Sequence, residues 1–187
     1  GCAEMAVSEA TEDSRLCTPG CLFAAIPGLK QNGQAFVDDA LARGAAVVLT
    51  SQPLARVKVN QCIVGDVRAA YSELCQSLAG MPSRRLGIVG VTGTNGKTTT
   101  TWLVRAILEA NRKHTGILGT VEYSDGVTTE PATLTTPDSR TLSDWLASMV
   151  TKKTGYAAME LSSHALQQSR AAGVQLDVTM TLVDAAT

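Results

Sequence analysis

The sequence contains few of the residues from which metal centres and disulfide-stapled scaffolds are built. Only two histidines occur, His114 and His164, which is too few for a histidine-based metal centre. The five cysteines include one close pair, Cys17 and Cys21, and no second pair follows that would complete a zinc site. An odd number of cysteines in a chain without a secretion signal predicts reduced thiols in the cytosol.

The chain also lacks long apolar runs and a strong charge of either sign. No segment approaches the roughly 18 apolar residues of a membrane span, and the first residues carry neither the basic nor the apolar region of a signal peptide. The formal net charge of −1 gives no electrostatic reason to expect nucleic acid or an anionic membrane as a partner. With 44% hydrophobic and 18% charged residues, the composition is that of an ordinary globular protein.

Short strands and helices alternate in the first part of the chain, which predicts a small α/β domain. Apolar runs predict strands at 21–28, 45–51 and 61–66, the last two of them buried. Helical periodicity is found over 34–44 and 67–80, and each of these segments ends at glycine.

A linker is predicted at 81–87, where proline, serine and two arginines follow one another. Beyond it, a strand begins at LGIVGVTG, followed by a helix over 97–113, a strand at 114–123 and a helix over 137–153. Residues 155–166 are predicted to form a strand, a loop and the start of a helix, and a final strand is predicted at 174–183. The first of these helices places Leu103, Ile107 and Leu108 on one face. The alternation predicts a parallel sheet that binds ligands at the carboxyl ends of its strands.

The stretch GVTGTNGKTTT, residues 90–100, stands between a strand and a helix, as a phosphate-binding loop does. Glycines allow backbone N–H groups to point at phosphate oxygens, and the helix N-terminus adds a partial positive charge. Lys97 can reach the β- and γ-phosphates of a nucleotide, and the Thr98 hydroxyl can ligate Mg²⁺. The alternative is a tight strand-to-helix turn with a surface lysine.

The glycines of this loop stand at positions 90, 93 and 96, so the loop departs from the generic G-x-x-x-x-G-K-[ST] spacing. In this variant form it resembles the ATP loop of the Mur ligase superfamily, which also includes folylpolyglutamate synthetases. Further segments resemble UDP-N-acetylmuramoyl-tripeptide synthetases, the MurE type: EDSRLCTPGCLFAAIPG (12–28), NGQAFVDDALARGAAVVL (32–49), TLTTPDS (133–139) and MELSSHALQQSR (159–170). Folylpolyglutamate synthetases lack this first domain, so the MurE type is favoured.

The resemblance implies a cytoplasmic, ATP- and Mg²⁺-dependent ligase of peptidoglycan synthesis. Such an enzyme adds an amino acid, diaminopimelate or lysine, to UDP-MurNAc-L-Ala-D-Glu. ATP phosphorylates the substrate carboxylate, and the incoming amino group then attacks the acyl phosphate. A carboxylate is a poor acyl donor, whereas an acyl phosphate has a good leaving group. Catalysis therefore consists mainly of positioning and of charge neutralisation by lysine and Mg²⁺.

The resemblance also implies which residues form the sites. Lys97 and Glu160 would be catalytic, and Thr98 and Glu160 would contact Mg²⁺, which prefers oxygen ligands. ATP would be held by Gly93, Thr94, Asn95, Gly96, Lys97, Thr98 and Thr99. UDP-MurNAc-L-Ala-D-Glu would be held by Ser14, Leu29, Lys30, Gln31, Thr135, Thr136, Ser162, Gln168 and Arg170. Without the resemblance, these residues would be read as helix caps, loops and surface polar groups, and Glu160 as a paired or solvated carboxylate.

The last residues depart from the family pattern. Leu182 and Val183 stand where the family has threonine and asparagine, and no Asp-His pair follows. The lysine that the family carbamylates and the domain that selects the amino acid are also missing. We therefore expect a UDP-MurNAc-binding domain over residues 1–83 and the first part of an incomplete P-loop ATPase domain over 84–187. A parallel sheet that stops part-way exposes an edge, so this chain is expected to be poorly stable and without ligase turnover.

Two other classes of function are compatible with parts of the sequence. A stand-alone nucleotide- or UDP-sugar-binding module would use the same loops without ligase activity. A P-loop kinase would need a phosphate-acceptor site, and it leaves the first domain unexplained.

Overall fold

The computed structural model describes residues 7–28 and 32–183. The chain forms two compact units, residues 1–74 and 75–187. In the described part of the chain, no helix is long and apolar enough to cross a membrane.

The first unit contains a four-stranded sheet in which all strands are parallel and follow the order β1-β2-β3-β4. The strands are β1 (Ala10–Thr11), β2 (Leu22–Ala24), β3 (Val47–Thr50) and β4 (Asn60–Ile63). The residues of β2 and β3 are buried because both strands lie inside the sheet. The expectation that 61–66 forms a buried strand is wrong in its burial, since β4 is an outer strand with half-buried and exposed residues.

A short helical layer completes the first unit. A 3-10 turn (Gly33–Phe36) leads directly into α1 (Val37–Ala42), which confirms a helical segment in the region predicted over 34–44. Val37 and Ala40 of α1 pack with Phe23 and Val48 in one buried cluster. Helix α2 (Val67–Leu78) follows β4 and begins in the first unit, while its last four residues belong to the second. The Asp66 side chain accepts hydrogen bonds from the backbone N–H groups of Arg68 and Ala69 at the start of this helix.

The second unit contains a six-stranded sheet with the order β10-β5-β9-β6-β7-β8. The strands are β5 (Gly87–Gly93), β6 (Thr115–Leu118), β7 (Glu122–Ser124), β8 (Thr129–Pro131), β9 (Tyr156–Glu160) and β10 (Val178–Leu182). The first four strands in that order run parallel, and β7 and β8 are antiparallel. The single strand predicted over 114–123 is therefore wrong, because the chain reverses after Leu118.

The helices of the second unit are α3 (Lys97–Ala110), α4 (Ser139–Thr151) and α5 (Ser163–Gln167). The Asp138 side chain caps α4 by accepting a hydrogen bond from the backbone of Thr141. The predicted linker at 81–87 instead contains a 3-10 turn, Pro82–Arg85, in which Pro82 and Ser83 are buried.

Helices α3 and α4 lie on opposite faces of the second sheet. Leu142 and Met149 of α4 pack with Ile88 and Met159 in one buried cluster. Glu160 follows Met159 in β9 and so points to the other face. The Thr98 hydroxyl, in the first turn of α3, bonds to Glu160 on that face.

The apolar face predicted for α3 is not the face that packs on the sheet. Leu103 and Ile107 are 57% and 61% exposed, whereas Thr101 is fully buried. Val178 and Met180 of the outer strand β10 are also exposed. Helical periodicity located an apolar stripe, but periodicity alone does not identify the element that covers it.

Thr101 provides a stability test of this packing. Its hydroxyl is buried and has no hydrogen-bond partner among the described residues, and such a group costs roughly 1–3 kcal/mol. Thr101→Val keeps the shape and removes the hydroxyl, so we expect it to raise the free energy of unfolding by about 1 kcal/mol. Urea denaturation measures the change. Thr151→Val, at an exposed position of α4, should stay within about 0.5 kcal/mol, and a loss of stability in Thr101→Val would contradict the prediction.

Candidate functional site

The connection between β5 and α3 is a tight loop that requires glycine at two positions. Gly93 has a φ of +137°, and a Cβ there would lie 2.4 Å from the carbonyl oxygen of Leu182 in the neighbouring strand β10. Gly96 has a φ of +80° and is the N-cap of α3. Both backbone conformations are rarely adopted by residues with side chains. The loop therefore holds its shape because side chains are absent at these two positions.

The N-terminus of α3 presents backbone donors toward this loop. The first N–H groups of a helix have no partner within the helix, and Gly96 has no side chain with which to cap them. The helix dipole places a partial positive charge at the same point. The loop and the helix N-terminus thus form a backbone site suited to an anion such as phosphate.

Lys97 adds a full positive charge to this site. Its ammonium nitrogen donates to the carbonyl oxygens of Gly93, at 2.7 Å, and of Thr94, at 3.1 Å. An ammonium group carries three hydrogens, and these two bonds hold it at the loop. The charge is therefore fixed beside the N–H groups of α3.

Glu160 ends β9 and lies next to the loop with only 1% of its surface exposed. Its Oε2 accepts a hydrogen bond from the Thr98 hydroxyl at 3.0 Å. None of the lysines and arginines that the structure describes forms an ion pair with it. A buried carboxylate that has hydroxyl partners and no cation is suited to a metal ion. The Glu160 carboxylate oxygen and the Thr98 hydroxyl oxygen are ligands of the kind that Mg²⁺ prefers.

Thr120 is a member of this site that the sequence analysis missed. Its N–H donates to Glu160 Oε1 at 2.8 Å, and its hydroxyl lies 3.0 Å from Glu160 Oε2. Thr120 lies just after the carboxyl end of β6. Glu160 lies at the carboxyl end of the neighbouring parallel strand β9, so both residues are at the same edge of the sheet. That position was a usable signal, but it was hidden because 114–123 was read as one continuous strand.

The threonines of the TLTTPDS segment lie against Glu160. The hydroxyl of Thr135 is 3.1 Å from that of Thr120. The hydroxyl of Thr136 donates to the Glu160 carbonyl oxygen at 2.8 Å and accepts from the Ser162 N–H at 3.0 Å. Ser162 in turn caps α5 through its side chain. Two segments with resemblance to the same family thus meet at Glu160, through its backbone carbonyl oxygen.

Arg170 and Gln168 extend the same network. The Arg170 guanidinium donates to the Thr136 carbonyl oxygen at 2.9 Å and, through two nitrogens, to Gln168 Oε1. Gln168 Nε2 lies 2.9 Å from His164 Nε2, so this histidine has a local partner. The hydrogen bonds therefore connect Thr98, Thr135, Thr136, Ser162, Gln168 and Arg170 with Glu160.

Ser14 belongs to the first unit and lies beside a separate cleft of about 560 Å³. Glu12, Asp13, Ser14, Arg15, Phe36 and Asp39 line this cleft. The side-chain hydrogen bond from Ser14 is the main cause that lowers the pKa of Asp39. Arg15 is paired with Asp13. Leu29, Lys30 and Gln31, which the resemblance also assigns to a sugar nucleotide, lie outside the described residues.

Comparison with known proteins gives matches over both units. Residues 91–183 match the Mur ligase middle domain, and residues 7–77 match the Mur ligase family catalytic domain. A UDP-N-acetylmuramoyl-L-alanyl-D-glutamate--2,6-diaminopimelate ligase of Geobacillus kaustophilus is 42% identical over 168 residues, which are 90% of this chain and 34% of that protein. A UDP-N-acetylmuramyl-tripeptide synthetase of Deinococcus radiodurans is 41% identical over 180 residues, covering 93% of this chain and 36% of that protein.

Solved structures share the fold. A UDP-N-acetylmuramoyl-L-alanyl-D-glutamate--2,6-diaminopimelate ligase structure superposes with a TM-score of 0.79 at 27% identity, over 94% of this chain and 36% of that one. A MurF ligase from Thermotoga maritima in complex with ADP gives a TM-score of 0.50 at 19% identity, over 86% of this chain and 33% of that one, and shows similarity of fold alone.

The chain belongs to the Mur ligase family and contains its N-terminal and middle domain regions. The matches confirm the predicted family, and the shared fold confirms the predicted α/β class. Members of this family are ATP-dependent ligases. The chain spans about a third of the length of the curated relatives that it matches.

Proposed function

We propose that the protein is an ATP-dependent carboxylate–amine ligase of peptidoglycan synthesis, and thus of cell-wall growth, cell shape and division. It would add diaminopimelate or lysine to UDP-MurNAc-L-Ala-D-Glu in the cytoplasm, through an acyl phosphate. The observation that carries the proposal is the contact of Thr98, in the first turn after the glycine loop, with the buried carboxylate of Glu160. The names and identities of the relatives support the choice of substrate.

The two parts of the chain would bind different substrates. Residues 1–83 would form the UDP-MurNAc-binding domain, and the cleft beside Ser14 supports this assignment. Leu29, Lys30 and Gln31 would contribute to the same sugar-nucleotide site. Residues 84–187 would form the first part of the ATP-binding domain.

The glycine loop would hold the phosphates of ATP. The segment from Gly93 to Thr99 would contribute N–H groups to the phosphate oxygens. Lys97 would neutralise charge on the transferred phosphoryl group. Thr98 and Glu160 would hold Mg²⁺, which supplies further charge neutralisation at the phosphates when it is bound. Lys97 would stay in place throughout the reaction because loop carbonyls hold its ammonium.

The polar residues beyond Glu160 would orient the muramoyl-dipeptide. Thr135, Thr136, Ser162, Gln168 and Arg170 present hydroxyl, amide and guanidinium groups, which suit a substrate with carboxylates and amides. Phosphoryl transfer needs the substrate carboxylate in line with the terminal phosphate of ATP. The hydrogen bond from Thr136 to the Glu160 carbonyl oxygen would hold the residues that bind the muramoyl-dipeptide at a fixed distance from those that bind ATP and Mg²⁺.

Separate binding measurements test the proposal. Isothermal titration calorimetry of the 187-residue chain is expected to give saturable binding of ATP with Mg²⁺ and, independently, of UDP-MurNAc-L-Ala-D-Glu. UDP-glucose serves as the control for the second ligand and should bind more weakly. A folded chain that does not bind ATP would contradict the proposal. Binding of both ligands with no amino-acid-dependent phosphate release by a protein that contains this chain and has the length of its relatives would favour the alternative, a binding module without ligase activity.

A further inference from the structure

We propose that Thr120 is a positioning residue that fixes the Glu160 carboxylate for Mg²⁺. The inference rests on the proposed function, because it assigns a role toward the same nucleotide and metal site. Nothing in the resemblance or in the names of the relatives assigns Thr120.

Thr120 contacts both oxygens of the carboxylate. Its backbone N–H donates to Oε1 at 2.8 Å, and its hydroxyl bonds to Oε2 at 3.0 Å. A contact to a single oxygen leaves a carboxylate free to rotate about its Cγ–Cδ bond. Two contacts from one residue fix the plane of the carboxylate as well as its position.

The direction of the hydrogen bonds follows from the number of hydrogens. The Thr120 hydroxyl has one hydrogen and lies near both Glu160 Oε2 and the Thr135 hydroxyl. An ionised carboxylate can only accept, so Thr120 donates to Glu160 and accepts from Thr135. Thr120 therefore links the carboxylate to the segment that would hold the muramoyl-dipeptide.

The backbone at the end of β6 is shaped for this close approach. A Cβ on Gly119 would lie 2.4 Å from Glu160 Oε1, so a side chain there would displace the carboxylate. The Thr98 hydroxyl also donates to Glu160, and it is itself a candidate ligand of Mg²⁺. Thr120 thus supplies the contacts that hold Glu160 independently of the metal ligands.

The test measures how ATP binding depends on Mg²⁺. Thr120→Val removes the hydroxyl and keeps the N–H and the branched shape. Loss of such a supporting contact typically weakens metal affinity by 10–100-fold, so half-maximal ATP binding should need at least about tenfold more Mg²⁺. ATP affinity in EDTA should not change. Thr120→Ser restores the hydroxyl and should return the Mg²⁺ requirement to within about threefold of the wild type.

Controls separate this role from a general loss of structure. Thr128→Val removes a hydroxyl at an exposed position and should leave the Mg²⁺ requirement unchanged. An unchanged requirement in Thr120→Val, or an equal loss of ATP affinity with and without Mg²⁺, would overturn the inference. If Thr120→Val does not fold, Thr120→Ala removes the same hydroxyl without placing a methyl against the carboxylate, and the same shift is expected. Failure of the wild-type chain to bind ATP would instead overturn the proposed function.

Discussion

Lys97→Ala is expected to weaken binding of ATP with Mg²⁺ by about 100-fold and to leave binding of UDP-MurNAc-L-Ala-D-Glu unchanged. A hydrogen bond to a charged group contributes about 1.5–3 kcal/mol, and 2.7 kcal/mol corresponds to about 100-fold in affinity. The ammonium of Lys97 is held at the glycine loop by two carbonyl oxygens, so its charge is in place before a nucleotide arrives. Calorimetric titration of each ligand measures the two effects separately.

The controls for Lys97→Ala distinguish a lost contact from a lost fold. Lys152→Ala removes a lysine at an exposed position of the same unit and should not change the affinity for either ligand. Lys97→Arg keeps the charge but not the compact ammonium geometry, so it should restore only part of the ATP affinity. If Lys97→Ala bound neither ligand, the chain would have unfolded, and the prediction that Lys97 acts only at the ATP site would be contradicted.

Glu160→Gln is expected to raise the Mg²⁺ concentration needed for half-maximal ATP binding by more than about 100-fold. The amide cannot supply the negative charge that a hard cation prefers. The fold should persist, because the amide oxygen can still accept from the Thr120 N–H, and the hydroxyls of Thr98 and Thr120 can rotate to accept from the amide nitrogen. Titrations of ATP at several Mg²⁺ concentrations, with a thermal melt of each variant, test both parts.

Glu160→Ala should behave differently from Glu160→Gln. It leaves a buried space and deprives the Thr120 N–H of its acceptor, so the free energy of unfolding should fall by about 2–4 kcal/mol. Glu109→Gln, at an exposed position of α3, is the matched control: it removes a surface ion pair with Arg105, so it should change stability by no more than about 0.5 kcal/mol and leave the Mg²⁺ requirement unchanged. A Glu160→Gln chain that binds ATP with the Mg²⁺ dependence of the wild type would exclude Glu160 as a metal contact.

Local features of the fold were predictable where short-range rules determine them. The strand that ends at Gly93, the glycine loop and the helix that begins at Lys97 follow from backbone requirements within a few residues. The start of α4 follows in the same way from Asp138, whose side chain caps the first turn. These elements need no knowledge of distant neighbours.

Features that depend on neighbours were missed. The chain reverses between Leu118 and Glu122 because Tyr123 pairs back onto β6, and the pattern of apolar residues through this segment does not show the reversal. That error hid Thr120. The burial of β4 was overestimated for a related reason, since an apolar run does not show whether a strand lies inside a sheet or at its edge.

The resemblance proposed a set of residues for the candidate site, but not the hydrogen bonds that connect them. The resemblance named Glu160, Thr136 and Arg170 separately, and it gave no reason for them to bond to one another. Their contacts arise because β9 and β8 end at the same edge of the sheet, so the segment after β8 lies beside the end of β9. The hydrogen bonds of Arg170 to the Gln168 side chain and to the Thr136 carbonyl oxygen likewise depend on the tertiary structure.

The contact between Gly93 and Leu182 has a consequence for the order in which the second unit folds. These two residues are paired in register, although they are far apart along the chain. Closing a long stretch of chain is slow, so we expect β10 to dock late. The glycine loop between β5 and α3 then acquires its final support among the last events of folding. Nucleotide binding during refolding would accordingly lag behind the burial of the apolar core, and a kinetic experiment with two probes would resolve the interval.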